Sequence, residues 1–99
     1  MKHNEHIRRL FEACRHLISV DGAAQVQHYI EHGEHEMAFE GLVLELIAAD
    51  ATPPDFRFDE WEVLARQMGL VQDPVFDGDF WSKFVKWGNS IPSSYAHAE

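Results

Sequence analysis

The sequence predicts an all-α protein, a single-domain bundle of about five helices. Apolar residues recur at the i, i+3, i+4 spacing of amphipathic helices, and no run alternates as a strand would. Glycines and prolines divide the chain into segments of helix length. Ninety-nine residues, 45% of them hydrophobic, suffice for one core and are too few for two. We expect a helical domain over residues 1–88 and a loosely ordered tail over residues 89–99.

Two helices are predicted before residue 34. Asn4 suits the N-cap of the first helix, and residues 20–22, Val-Asp-Gly, are expected to end it. The second helix is shorter and is expected to stop at Gly33. The apolar face of the first helix comprises Ile7, Leu10, Phe11, Cys14, Leu17 and Ile18, and that of the second comprises Val26, Tyr29 and Ile30.

The third predicted helix, over residues 34–50, is apolar on nearly every side. Such a helix is typical of the centre of a bundle. Its charged residues Glu36, Glu40 and Glu45 are therefore expected to leave the apolar surface at the first turn or along narrow seams. Acidic residues in the first turn also complement the helix dipole, which is an alternative role for Glu34 and Glu36.

Residues 51–55, Ala-Thr-Pro-Pro-Asp, form the clearest break in the chain, because prolines cannot continue a helix. The fourth helix is predicted to begin at Asp59, which has capping-box spacing with Glu62, and to end at Gly69. A fifth helix is expected to open at Asp73-Pro74, or later at Asp77 or Asp79. Its aromatic face comprises Phe76, Phe80, Phe84 and Trp87, with Trp81 beside it, and the sequence leaves open whether Trp81 and Trp87 are core or contact residues.

Charge is distributed very unevenly along the chain. Residues 31–79 hold 13 of the 17 acidic residues and two basic ones, Arg57 and Arg66, so this segment has a net charge of −11. Nucleic-acid binding depends on lysine and arginine to displace counterions from phosphates. A strongly negative surface instead attracts a basic protein. The charge pattern therefore predicts a basic protein partner and argues against nucleic-acid binding.

Other features limit where the protein works. No apolar run approaches the ~18 residues that span a bilayer, and the N-terminus lacks the apolar core of a secretion signal. The single cysteine, Cys14, cannot form an internal disulfide and is expected to be a small buried hydrophobic residue. We expect a cytoplasmic protein that contacts no membrane and needs no cofactor. The sequence does not indicate an oligomeric state.

Catalytic and metal-binding patterns are weak. Residues 28–32, His-Tyr-Ile-Glu-His, match the H-x-x-E-H pattern of inverted zinc peptidases, with His28 and His32 on one helical face. Gly33 follows at once, however, and nothing would hold the pair rigid. His35 adds a third histidine nearby. There is no phosphate-binding loop and no nucleophile elbow, so we expect neither a metal site nor an enzyme.

A helix-turn-helix DNA-binding module is the natural alternative for a small helical protein. Its recognition helix would present arginine, lysine, asparagine or glutamine. The fourth predicted helix instead offers Glu60 and Glu62 beside Arg66 and Gln67. This composition does not favour contact with bases.

Residues 32–42, His-Gly-Glu-His-Glu-Met-Ala-Phe-Glu-Gly-Leu, resemble a signature of small bacterial immunity proteins. The pattern is a helix that ends in a turn, followed by Glu34, His35, Ala38 and Leu42, and it is similar to the MafI-type and related families of contact-dependent growth inhibition (CDI) systems. Residues 26–30 and 61–70 fit the same layout, so the resemblance covers about residues 5–70. It does not extend to the aromatic segment 76–87.

The resemblance implies an immunity protein that binds the toxic C-terminal domain of a cognate toxin, commonly a nuclease with a basic cleft. The charge pattern independently predicts a partner of that sign. A regulatory or adaptor module that binds a basic housekeeping protein or a small ligand is the alternative. The expected contact residues are acids at helix starts and in loops, namely Glu31, Glu34, Glu36, Glu40, Asp55, Asp59 and Glu60.

Overall fold

The computed structural model describes the chain from residue 2 to residue 91, and the side chains from Asn4 onward. Five α-helices follow one another: α1 (Lys2–Cys14), α2 (Val20–Glu31), α3 (His35–Ala49), α4 (Phe58–Gln67) and α5 (Phe80–Ser90). Residues 2–91 contain no strand. The prediction of an all-α bundle of about five helices is confirmed.

The junction between α1 and α2 differs from the prediction. α1 begins before Asn4, so Asn4 is not its N-cap, and a short 3-10 helix over Arg15–Leu17 follows α1. Residues 20–22, expected to end the first helix, form the first turn of α2 instead. Ser19 caps that turn, because its Oγ accepts a hydrogen bond from the N–H of Gly22 at 2.9 Å. The side chain thereby satisfies an amide that a helix start leaves without an intrahelical partner.

α2 and α3 pack as an antiparallel pair joined by a tight turn. Gly33 lies in that turn with φ of +69°, a conformation that suits glycine, so the predicted stop at Gly33 is confirmed. Gly22 faces Glu45 and Val26 faces Gly41, which places the start of α2 beside the second half of α3. α3 also packs against α1 and α5. It is the central helix, as its apolar surface predicts.

α4 begins at Phe58 without the predicted capping box. The Oδ1 of Asp59 accepts from the N–H of the adjacent Glu60 at 3.0 Å. The carboxylate of Glu62 binds the guanidinium of Arg66 one turn later, at 2.9 Å from its Nη2. The start of α4 is therefore one residue earlier than expected and has no side-chain cap.

α5 begins at Phe80, directly after Asp79, the last of the three predicted starting points. Phe84 and Trp87 are buried, as predicted for its aromatic face, and Trp87 is therefore a core residue. Trp81 is half-buried, and the guanidinium of Arg66 lies 5.0 Å from the centre of its ring. Phe76 is not on the helix: it lies in the preceding loop and is 46% exposed.

The core is one cluster to which every helix contributes. α5 continues past Gly88 to Ser90, so the helical body extends two residues into the predicted tail. The rest of that tail, residues 92–99, lies outside the described residues. No helix in the described part of the chain combines the length and apolar character needed to cross a bilayer. The largest buried side chains are Phe11, Phe39, Phe80, Phe84, Ile7, Ile30, Leu42, Leu46, Leu64 and Leu70.

Candidate protein-binding surface

Most of the acidic segment faces solvent. Of the 13 acidic residues between positions 31 and 79, nine are exposed, three are half-buried and one is buried. The exposed ones are Glu31, Glu34, Glu36, Asp50, Asp55, Asp59, Glu60, Asp73 and Asp79. Burying an uncompensated charge is costly, which explains why so dense a run of carboxylates remains at the surface.

Three of the predicted contact residues lie where α2 passes into α3. Glu31 ends α2, Glu34 precedes α3 and Glu36 lies in the first turn of α3. All three are exposed. Glu31 accepts a hydrogen bond from the Nε2 of Gln27 at 2.8 Å, which leaves its negative charge uncompensated. Within the described residues, none of the three acids forms an ion pair.

The other three exposed candidates follow the far end of α3 along the chain. Asp55 lies in the loop before α4, and Asp59 and Glu60 lie in the first turn of α4. Trp61, next to Glu60 in α4, packs against Phe39 in the first half of α3, with 5.8 Å between ring centres. Glu60 is paired with the Nε2 of His6 at 3.0 Å, a contact that ties α4 to α1. The predicted contact residues therefore come from two groups along the chain.

The prediction that Glu40 is an exposed contact residue is wrong. Its side chain is fully buried, with 0% exposure. One carboxylate oxygen accepts from the N–H of Val75 at 2.6 Å, and the other accepts from the N–H groups of Phe76 and Asp77 at 2.8 and 2.9 Å. Three hydrogen bonds from backbone donors replace the water that a buried carboxylate loses. Glu40 thus holds the loop before α5 in place and is unavailable to a partner.

The sequence contains a partial signal for this arrangement. Glu40 directly follows Phe39 and lies two residues before Leu42, both fully buried, so a charge at this place in a central helix has to be satisfied internally. The partners of Glu40, however, are backbone amides 35 to 37 residues further along the chain. Backbone donors carry no side-chain signature, so no spacing rule identifies them.

Between α2 and α3 lies an apolar groove with a volume of about 260 Å³. α2 and α3 each contribute a glycine to it, Gly22 and Gly41, and the loop that Glu40 holds contributes Phe76. The ring of Phe76 packs against Tyr29, with 5.7 Å between ring centres. The full lining is Gly22, Gln25, Val26, Tyr29, Gly41, Leu44, Glu45 and Phe76.

Glu45 is the one residue in the lining of this groove that carries a charge at neutral pH. It is half-buried, and its carboxylate packs against the backbone of Gly22, in the space that a side chain at position 22 would occupy. Within the described residues, Glu45 has neither a hydrogen bond nor an ion pair. Glu45 was expected to leave the apolar surface of α3 along a narrow seam, but no pattern in the sequence predicts the groove. The glycine opposite it is a signal, since glycine inside a helix often indicates close approach of another group.

The histidine pattern does not form a metal site in the described part of the chain. The rings of His28 and His32 lie side by side, 4.2 Å between centres, but the Nδ1 of His32 donates to the backbone carbonyl of His28 at 2.9 Å. Glu31, the fourth residue of the pattern, accepts a hydrogen bond from Gln27. Among the residues described, no three His, Cys, Asp or Glu side chains are grouped as a metal ion would require.

Cys14 is buried in the core, as expected for a small hydrophobic residue. Burial removes water from the thiolate and raises the pKa of the Cys14 thiol to about 11. Near neutral pH the thiol is therefore protonated, and a protonated thiol is a poor nucleophile.

Comparison of the chain with models of known protein families, with curated proteins and with solved structures finds no match.

Proposed function

We propose that the chain is a cytoplasmic immunity protein, which binds the toxic C-terminal domain of a cognate polymorphic or CDI toxin and neutralises it by occlusion. The partner has a basic surface, of the kind with which a nuclease holds a phosphate backbone. The observation that carries the proposal is the exposure of nine of the 13 acids between residues 31 and 79. Seven of these nine have no ion pair with any described residue.

The exposed charge supports fast association. Seven exposed carboxylates that form no ion pair with a described residue create a negative field on a small domain, and this field attracts a basic protein before contact and orients it. Steered association of this kind is faster than docking of neutral surfaces and weakens as salt is added. Speed suits an inhibitor whose target harms the cell at low copy number.

Exposed apolar side chains support tight binding once contact is made. Val75 and Phe76 are 43% and 46% exposed on the loop that the Glu40 carboxylate holds. A protein interface draws most of its binding energy from a few apolar or aromatic anchors surrounded by polar contacts. Anchors on a rigid loop lose little conformational entropy when they bind.

A neutralisation assay tests the function directly. We expect the gene immediately upstream to encode the toxin, and its toxic domain is expressed in a sensitive cell, with and without this protein. We expect growth only when the protein is present, and a one-to-one complex of the two purified proteins. Continued cell death despite abundant folded protein would contradict the proposal.

Charge reversal tests the electrostatic part. Glu34→Lys combined with Glu36→Lys is expected to reduce the association rate constant about ten-fold at low salt and to flatten its salt dependence. Glu5→Lys combined with Glu12→Lys, two exposed positions on α1, makes the same change in net charge outside the acidic segment. Stopped-flow measurements of both variants separate a local contact from a general charge effect. Equal rates for the two variants would place the interface elsewhere.

A further inference from the structure

We infer that the groove between α2 and α3 is a binding site for an arginine side chain of the basic partner. This inference rests on the proposed function for the identity of the partner. The ligand chemistry itself follows from the groove: one carboxylate, two aromatic rings and an apolar floor.

The size of the groove fits a single long side chain. Its volume, about 260 Å³, lies below the range of roughly 300–1,000 Å³ that is usual for small-molecule pockets. The floor is open because Gly41 has no side chain. A methyl group at that position would lie 3.7 Å from Val26, and 3.9 Å from both Tyr29 and Phe76, so these three side chains surround an unfilled space.

The charge of the groove selects a cation. The Glu45 carboxylate lies at the groove, half-buried, and no described residue neutralises it. A carboxylate that has lost part of its water gains more from an incoming cation than a fully solvated one does. The groove therefore has an unmet requirement for positive charge.

The aromatic pair favours arginine over lysine. Tyr29 and Phe76 form one wall, their rings 5.7 Å apart and inclined by 35°. A guanidinium stacks on aromatic faces and binds a carboxylate through two parallel hydrogen bonds, whereas an ammonium group is a more strongly hydrated point charge. An arginine lying in the groove would place its methylene groups against Val26 and Leu44 and its guanidinium at Glu45.

The wall is held in advance of binding. Phe76 belongs to the loop whose three amides bind the buried Glu40 carboxylate, so the ring is positioned without a partner. Glu40 thus acts as a positioning residue for the groove, although it cannot touch a ligand.

The first test uses peptides and does not need the toxin. Acetyl-Gly-Arg-Gly-amide is titrated into the ¹⁵N-labelled protein, and acetyl-Gly-citrulline-Gly-amide, which has the same shape without the charge, is the matched ligand. We expect the arginine peptide to shift the amide signals of Gly22, Gly41 and Phe76, and the citrulline peptide to bind about five-fold more weakly. Shifts spread equally over all exposed acids would overturn the inference.

Variants then test the residues. Glu45→Gln is expected to remove the difference between the two peptides, and Gly41→Leu to block the groove, while Glu5→Gln, at an exposed position on α1, leaves binding unchanged. Should Gly41→Leu fail to fold, Gly41→Ala places a smaller group in the same space. If Glu45 serves only to complement the dipole of α2, Glu45→Gln lowers stability and leaves peptide selectivity intact, which would contradict the inference.

The toxin domain separates this inference from the proposed function. If the wild-type protein neutralises the toxin and Glu45→Gln and Gly41→Ala bind it equally well, the groove is not part of the interface and the immunity function stands. If the peptides bind at the groove and the toxin is not neutralised, the arginine site stands and the immunity function is wrong.

Discussion

Glu40 and Glu45 lie five residues apart on α3, in two regions that treat a carboxylate in opposite ways. On the loop side, Glu40 is fully buried and accepts three hydrogen bonds from backbone amides. On the groove side, Glu45 is half-buried with no partner among the described residues. The first carboxylate contributes to stability, since its bonds exist only in the folded protein. The second is available to a ligand. Two residues with the same charge on one helix can therefore have different roles, and the surroundings of each side chain decide which role it has.

The largest expected effect comes from removing the buried carboxylate. Glu40→Ala should lower the free energy of unfolding by about 3 kcal/mol, because three backbone amides lose a charged acceptor and a cavity remains. Urea denaturation measures the loss, and hydrogen exchange at Val75, Phe76 and Asp77 should become faster. The matched control is Glu36→Ala, an exposed position one turn earlier, which should change stability by less than about 0.5 kcal/mol. Equal effects of the two substitutions would mean that Glu40 does not hold the loop.

Adding a methyl group at Gly88, where the aromatic core is tightly packed, should give the next largest change in stability. Gly88 on α5 lies against the ring of Phe58, and a side-chain carbon at position 88 would overlap that ring. The ring cannot move freely, because it packs against Phe84 with 5.0 Å between ring centres. Gly88→Ala should therefore destabilise the protein by about 1–3 kcal/mol, measured by urea denaturation. A neutral result would show that the aromatic cluster has spare room.

A glycine-to-alanine substitution at the groove should change stability in the opposite direction. At Gly41 the added methyl group meets its neighbours at 3.7–3.9 Å, ordinary contact distances, and alanine is the better helix former. Gly41→Ala should stabilise the protein by about 0.5–1 kcal/mol, which raises its thermal midpoint. Gly78→Ala, in the loop before α5 with open space around it, controls for the loss of a glycine outside a helix. A fall in the midpoint for Gly41→Ala would show that the groove is filled.

The smallest effect concerns the end of the loop that Glu40 holds. The Nζ of Lys83 donates to the Oδ2 of Asp77 at 2.6 Å, and the N–H of Asp79 donates to its Oδ1 at 2.9 Å. Both bonds lower the pKa of Asp77, and the bond from Lys83 has the larger effect. Because the pKa is lower in the folded state, the stabilisation is complete above the ordinary aspartate pKa of about 3.9 and disappears as the pH falls through the folded-state value.

Lys83→Gln measures that contribution. The variant should be slightly less stable than the wild type at pH 7, and the difference should shrink as the pH falls below 4. The control is Lys86→Gln, an exposed position on the same helix, which should show no such trend. A difference that persists at pH 2 would assign the effect to packing of the Lys83 side chain.

Sequence patterns predicted two features of the helices well. The end of α2 at Gly33 and the central position of α3 were both predictable, since each depends on local spacing and on burial of a continuous surface. Helix starts were predicted less well. Asn4 and Asp59 both suit an N-cap, but α1 begins before Asn4 and α4 begins before Asp59. The position at which a helix begins depends on how the helix packs, which local sequence does not contain.

The candidate site divides in the same way. Exposure was predicted correctly for six of the seven acids proposed as contact residues, because a lone carboxylate at a helix start or in a loop normally remains in water. The prediction for Glu40 was wrong, because the groups that donate hydrogen bonds to its carboxylate are backbone amides of a loop distant in the sequence. The groove was missed because its walls come from three separate segments.

The sequence by itself determined the all-α class, the order of the helices and the concentration of negative charge between residues 31 and 79. Each of these depends on the spacing of residue types or on composition, and both are properties of the sequence itself. Only the tertiary structure decided which carboxylate is a structural ligand and which one lies at an open groove. That difference depends on Val75 and Phe76 reaching α3 from 35 residues away, and on Gly22 lying opposite Glu45. Contacts between distant segments decide the solvation of a charge, and solvation decides what the charge does.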